Sequence, residues 1–339
     1  MSRVTIREVA ERAGVSPATV SIVLNGRAGA RVSDATRRRV REVSDDLGYR
    51  PNAVARGLRT QRTQVIGVLS DRIASTPFAV RMVAAIEAVA REHGHLVFLV
   101  DTDDDPAAEK EAIEAFSSYQ VDRVIYACMY HRVVPPPADV VGRVILCDAR
   151  AEDDSLPGVV PDELEGARAA AAELVGAGHH RIAFVNDALR PAAAELRLAG
   201  YRQALVEGGI TPDPALVVEC EPSPDGARAA AHGLLEAHAD LTGIFAFSDR
   251  LAAGVIAAGR DRGLDVPHDL SVVGFDDMES LAAHLGPGLT TVALPHFEMG
   301  EWAARALFGQ ADPLPPAGAP PVRMPCRLVR RGSVGPPPG

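Results

Sequence analysis

The stretch Thr5-Ile-Arg-Glu-Val-Ala-Glu-Arg-Ala-Gly-Val-Ser-Pro-Ala-Thr-Val-Ser-Ile-Val-Leu-Asn25 sets the first part of the fold. Thr5 followed by Glu8 is a capping box that starts one short helix. Gly14 breaks that helix, and Val15 can plug the corner that follows. Ser16 is a good N-cap, and Pro17 sits at the first helical position, where its missing N–H costs nothing. Two short helices joined by a tight glycine turn predict a helix-turn-helix, whose second helix can lie in a DNA major groove.

Downstream, Asn25–Arg31 reads as a loop containing glycine. Ser33 then caps a third helix with Asp34 in its first turn, where the helix dipole favours an acid. Val40, Val43 and Leu47 form one apolar stripe that can close a three-helix core with Val9, Val15, Val20 and Val23. Gly48 ends the helix. Pro51–Arg59 is a short helical candidate, marginal in isolation because free helices under about 12 residues barely hold. Thr60–Gln64 reads as a polar linker.

Charge divides the 339 residues unevenly. Residues 1–62 carry 13 arginines against 6 acids, whereas the remainder carries 22 basic and 39 acidic residues. A basic head on an acidic body fits a phosphate-seeking module tethered to one that DNA repels. The four cysteines, Cys128, Cys147, Cys220 and Cys326, have no ligand spacing and read as reduced thiols. Met1–Arg12 is a charged, capped segment and not a signal core, and no apolar run approaches the roughly 20 residues that span a bilayer. The expectation is a cytoplasmic, nucleoid-associated protein with no membrane contact.

From Val65 the rhythm changes. Apolar runs recur at 65–70, 96–100, 123–128, 143–148, 159–160, 181–186, 216–219, 243–248, 271–275 and 290–294. Helical stretches lie between them near 78–93, 106–118, 163–176, 192–207, 226–238, 250–263 and 296–308. This alternation predicts an α/β body of two doubly wound parallel-sheet subdomains of about five strands each. A final strand is expected near 322–329.

Residues 4–59 resemble the DNA-binding region of the LacI/GalR family of bacterial transcription regulators. The carrying residues are Thr5-Ile6, Val9-Ala10, Ala13 to Ser16, Thr19-Val20-Ser21, Asn25, Thr36, Gly48-Tyr49 and Arg50 through Leu58. The resemblance implies that hydroxyls and amides hold phosphates while the second helix meets bases. Thr5, Ser16, Thr19, Ser21 and Asn25 would clamp phosphates, although Ser16 also has a local capping role. Base reading would fall to Pro17, Ala18 and Ile22, none of which makes a bidentate hydrogen bond. Arg27, in a loop longer than in some family members, would add a backbone or base contact. Tyr49, Asn52, Ala55, Arg56, Leu58 and Arg59 complete the implied DNA set. The family implies that Pro51–Arg59 orders on DNA beside its copy from a second subunit. Leu58 would wedge open a central minor-groove step, and Arg56 and Arg59 would flank it.

The resemblance extends over most of 64–331, and beyond the family to periplasmic sugar-binding proteins. It runs through Gly176-Ala-Gly-His-His-Arg-Ile-Ala183, Arg197–Arg202, Ser271–Asp277 and Leu289–Val292. It implies a ligand cleft at the carboxyl ends of the strands. Phe78, Asp148, Arg197, Ser248 and Asp276 are the expected effector residues. Carboxylates and a guanidinium suit a sugar or related metabolite. Two plainer readings stay open: Arg197 as a structural ion pair, and Asp276-Asp277 as a cap. His179-His180 reads as a turn and not a metal site. No cofactor is expected.

The expected organisation is a head over 1–50, a hinge helix and linker over 51–63, and an effector-binding and dimerisation body over 64–331. One subdomain spans 64–161 and 295–320, the other 162–294 and 321–331, and 332–339 is expected to be a disordered tail. The functional expectation is a repressor, acting as a homodimer on a pseudo-palindromic operator and controlled by a small effector. The alternative is a small-molecule-binding protein or sugar-phosphate enzyme with an accessory DNA-binding head. The chain lacks GxGxxG, GxSxG and HExxH, and its sole lysine, Lys110, leaves no Walker A loop.

Overall fold

A computed structural model describes residues 4–24, 32–50, 63–73, 80–121, 123–134, 143–316 and 318–338. The chain divides into two compact units, 1–64 and 65–339.

The first unit holds helices α1 (Ile6–Ala13), α2 (Pro17–Leu24) and α3 (Asp34–Asp46). Both halves of the capping box form, the Thr5 hydroxyl accepting from the Glu8 amide and the Glu8 carboxylate accepting from the Thr5 amide at 2.6 Å. Gly14 ends α1 at φ 64°, a left-handed conformation that glycine adopts without a Cβ clash. Ser33 caps α3 through the Thr36 amide. Val9, Ala10, Ala13, Val20, Val23 and Val40 are buried together, with Val15, Val43, Leu47 and Tyr49 packed against them.

The second unit opens on a six-stranded parallel sheet. Its strands are β1 (Val65–Ser70), β2 (Leu96–Asp101), β3 (Arg123–Val134), β4 (Arg143–Ala151), β5 (Gly158–Pro161) and β11 (Val322–Met324), in the order β11-β5-β4-β3-β1-β2. Alternate residues of β1 face opposite ways, as a pleated strand requires. Ile66 and Val68 join a cluster with Met82 of α4 (Val80–Glu92) and Trp302 of α11 (His296–Leu307). Val65 and Leu69 join another with Phe116 of α5 (Pro106–Ser118).

The second sheet, β7-β6-β8-β9, is parallel and is built from β6 (Ile182–Asp187), β7 (Val217–Cys220), β8 (Gly243–Ala246) and β9 (Ser271–Val273). Helices α6 (Glu163–Gly176), α7 (Ala192–Glu207), α8 (Pro224–Ala237) and α9 (Asp249–Asp261) belong to this half, as does the short α10 (Glu279–Ala282). Alanines 167, 170, 171, 193, 194 and 204 are buried here, and their small side chains let α6 and α7 approach closely. Gly200 marks the tightest point, where an added Cβ would run into the Leu164 carbonyl and the Arg168 amide.

The structure differs from the sequence reading in three places. The expected final strand is two strands, divided at Pro325-Cys326. β11 joins the first sheet beside β5, while β12 (Arg327–Val329) runs antiparallel to β10 (Thr291–Ala293). The run at 271–275 leaves β8 after Val273 and turns to the strand at 291–293, where the Asp276 amide donates to the Val292 carbonyl.

The third difference is the tail, expected to be disordered. Ser333 is fully buried: its carbonyl accepts the Val272 amide, and its hydroxyl donates to the Val272 carbonyl at 2.6 Å. His179 bridges the Thr242 hydroxyl and the Gly335 carbonyl, each at 2.9 Å. From Ser333 to Gly335 the tail therefore lies along β9 of the second sheet. The four cysteines are free thiols, with Cys128, Cys147 and Cys220 buried. Among the described residues no helix is long and apolar enough to cross a membrane.

Candidate functional site

In the first unit, α2 turns Val20 and Val23 into the core and leaves the other side of the helix outward. Pro17 and Ala18 are exposed there, and Thr19, Ser21 and Ile22 are half-exposed. Ser16 accepts from the Thr19 amide at 3.1 Å, and the two hydroxyls lie 2.9 Å apart, so both are held at the start of α2. Thr5 is likewise engaged as a cap, and Tyr49 leans on the core. Asn25, Arg27, Asn52, Ala55, Arg56, Leu58 and Arg59 lie outside the described residues.

In the second unit, a charged cluster forms where the chain passes between its two sheets. The first passage runs from Pro161 into α6, the second from β10 into α11, and the third through Pro325-Cys326. Glu163, His296 and Cys326 stand at these passages, and Arg197 feels or exerts charge on all three.

Arg197 belongs to α7, one helical turn before Gly200, so the close approach of α6 and α7 brings it to Glu163. Nε donates to Glu163 at 2.6 Å and Nη2 at 3.1 Å, and both side chains are only 2% exposed. Nη1 donates to the Phe247 carbonyl and reaches Asp276 at 3.4 Å. The guanidinium lies over the rings of Phe247, at 4.3 Å, and Phe275, at 3.7 Å. The planar cation thus stacks on aromatic faces while its edge meets carboxylates, a combination lysine could not reproduce.

Asp148 of β4 is buried, its Oδ1 has no partner among the described residues, and it feels the charges of Glu163, Arg197, Asp71 and Asp276. Burial raises the carboxyls of Asp148 and Asp276 well above the usual range, although Arg197 pulls both down. Both residues have positive φ, 55° and 104°. Asp187, at the end of β6, is buried and also raised by desolvation. On β3, His131 is buried, its Nδ1 has no partner among the described residues, and burial lowers its pKa. Ser248 caps α9, accepting from the Leu251 amide.

The structure thus gathers Asp148, Arg197 and Asp276 in one buried cluster, with Ser248 next in sequence to the Phe247 that stacks on Arg197. Phe78 lies outside the described residues. Of the two plainer readings, the ion pair holds, since Arg197 meets Glu163, whereas the cap does not: Met278 stands at the N-cap of α10 with no side-chain cap bond, and Asp277 instead receives Arg331 at 2.7 Å. Glu163, His131 and His296 were not anticipated. Glu163 gave no signal, since an acid in a first helical turn has an ordinary electrostatic reason to be there.

The sequence profile of bacterial regulatory proteins of the lacI family matches residues 5–52, and that of a periplasmic binding protein-like domain matches 171–334. Catabolite control protein A of Priestia megaterium is 35% identical over 309 residues, spanning 90% of this chain and 91% of that protein. The lac repressor dimer bound to operator and the anti-inducer ONPF superposes with a TM-score of 0.82 at 28% identity, over 98% of this chain and 100% of that one. The transcriptional regulator CelR in complex with cellobiose gives 0.67 at 29% identity, again over 98% and 100%. The chain is a DNA-binding transcriptional regulator with an effector-responsive body, and it belongs to the lacI family of bacterial regulatory proteins.

Proposed function

We propose that the protein represses transcription as a homodimer, each head reading one half-site of a pseudo-palindrome, with operator affinity set by a hydroxylated small molecule held around Arg197. The observation that carries this reading is the buried Arg197–Asp276–Asp148 cluster at the passages between the two sheets. A ligand held there touches both halves of the body and can bias their relative angle. A preference of a few kcal/mol for one arrangement is enough to switch occupancy. The operator complex of the lac repressor dimer and the cellobiose complex of CelR are the precedents.

Dimerisation finds support at β2, an edge strand whose Leu96 is 67% and Phe98 40% exposed. Apolar side chains on an edge strand are costly to leave in water and suit a copy of the same face. In the head, Thr5, Ser16, Thr19, Ser21 and Asn25 hold phosphates, and Pro17, Ala18 and Ile22 contact thymine methyls or fit the groove. Pro51–Arg59 acts as the hinge, with Leu58 as the wedge. The protein works in the cytoplasm by binding and not by turnover.

The test is selection of bound duplexes from random DNA, paired with a thermal-shift screen of sugars and sugar derivatives. A pseudo-palindromic consensus and a stabilising compound that alters its binding are expected. Failure to enrich any sequence would overturn the proposal.

A further inference from the structure

We propose that Glu163 sets the charge of the effector: its carboxylate fills the anion-binding edge of Arg197, so the cleft accepts a hydroxylated ligand that carries no phosphate or carboxylate there. This rests on the reading of the cleft as the effector site and adds the ligand's chemical class.

The guanidinium has no pair of N–H groups left for bidentate binding of an incoming anion. Its Nε and Nη2 both meet Glu163, the bidentate arrangement by which arginine recognises carboxylates and phosphates. Nη1 is directed to the Phe247 carbonyl and Asp276, and the ring faces of Phe247 and Phe275 cover the plane. The buried charged groups around it are acids, while the arginines that act on this region, Arg81, Arg150, Arg250 and Arg323, are exposed. Asp148, Asp276 and Asp187 are all buried carboxyls near Arg197. Asp71 also acts on Asp148 and holds Arg132 at 3.0 Å, while Arg132 reaches Asp104 at 2.8 Å. His131 and His296 are disfavoured as cations by burial.

The surroundings therefore repel an anion and offer acceptors. Asp148 supplies the second, independent sign of a ligand: a carboxyl oxygen, 1% exposed as a residue, with no hydrogen-bond partner among the described residues. A ligand hydroxyl or ammonium satisfies it, and a fully ionised phosphate or carboxylate, which has no proton to donate, does not.

The experiment uses the full chain as wild type, Glu163→Ala and the double variant Glu163→Ala/Arg197→Ala. Thermal stability is followed while sodium formate, the isostere of the deleted carboxylate, and inorganic phosphate are titrated. Both anions should raise the Tm of Glu163→Ala in a saturable way, with apparent affinity roughly ten- to a hundred-fold above any response of the wild type. The double variant should lose the gain. Anions binding to the arginines of the head act on all three proteins alike and cancel in the comparison. Equal anion stabilisation of wild type and Glu163→Ala, or no gain in a folded Glu163→Ala, overturns the assignment. Should Glu163→Ala not fold, Glu163→Ser likewise vacates the edge and keeps a polar residue at the start of α6. The same titration of that variant supports or overturns the assignment by the same two results. A sugar screen without a binder would remove the effector-cleft reading and leave the anion result standing, so the two failures are distinct.

Discussion

Ser333 and Val272 exchange bonds both ways: the serine hydroxyl donates to the valine carbonyl at 2.6 Å, and the serine carbonyl accepts the valine amide at 2.9 Å. The same hydroxyl accepts the Thr290 amide at 2.8 Å, so one side chain ties the tail to β9 and to the entry of β10. Ser333→Ala leaves a buried amide and a buried carbonyl short of a partner. It should cost about 1–3 kcal/mol in urea unfolding, the usual penalty for an unsatisfied buried group. Unchanged stability would mean that the tail lies there without contributing.

The Arg197–Glu163 pair predicts a non-additive mutant cycle. Arg197→Ala strands Glu163 in the interior and should destabilise by about 3–5 kcal/mol, with loss of the effector response and retention of DNA binding. The double variant Arg197→Met/Glu163→Leu removes both charges and should recover most of that loss. Chemical denaturation of the single and double variants measures the coupling. Simple additivity would show that the pair is not electrostatically linked.

His296 gives a pH signature. Burial pushes its pKa down to about 4, with Arg197 and Arg81 adding to the effect. The unfolded chain then binds a proton below about 6.5 that the folded chain refuses until near 4, so this contribution to stability is present above 6.5 and lost as pH falls. Relative to His296→Gln, the wild type should lose up to about 3 kcal/mol between pH 7 and 4. The raised carboxyls of Asp148 and Asp276 act in the opposite direction in both proteins, so the difference between them is the readout. Parallel pH profiles would rule out this role for His296.

The head was legible because its signals are local. Thr5 with Glu8, Gly14, Ser16-Pro17 and Ser33 each specify a cap or a turn within a few residues. The strand and helix rhythm of the body was equally open, since buried parallel strands are short apolar runs between amphipathic helices. What escaped depends on distant partners. The tail looked disordered from its glycines and prolines, yet Ser333 finds Val272 and Thr290, and Gly335 finds His179. The run Val322–Val329 looked like one strand, yet Pro325, which has no N–H to donate, sits between pieces that belong to different sheets. Glu163 reaches Arg197 across 34 positions through a helix contact that Gly200 makes possible, and nothing local announces that meeting.

For Leu58, substitution by Ala should weaken specific binding more than non-specific binding, because a wedge acts only on a duplex bent at the operator centre. Gel mobility of permuted fragments should report less bending. Equal losses on specific and random duplexes would rule out the wedge.

Fluorescence anisotropy on a selected duplex across a salt series puts the basic head itself to the test. If the head grips duplex DNA by its phosphates, log Kd rises linearly with log salt, at a slope near 0.9 per neutralised phosphate and several phosphates in total. Binding that is flat with salt, or absent on every duplex offered, would refute a phosphate-gripping head.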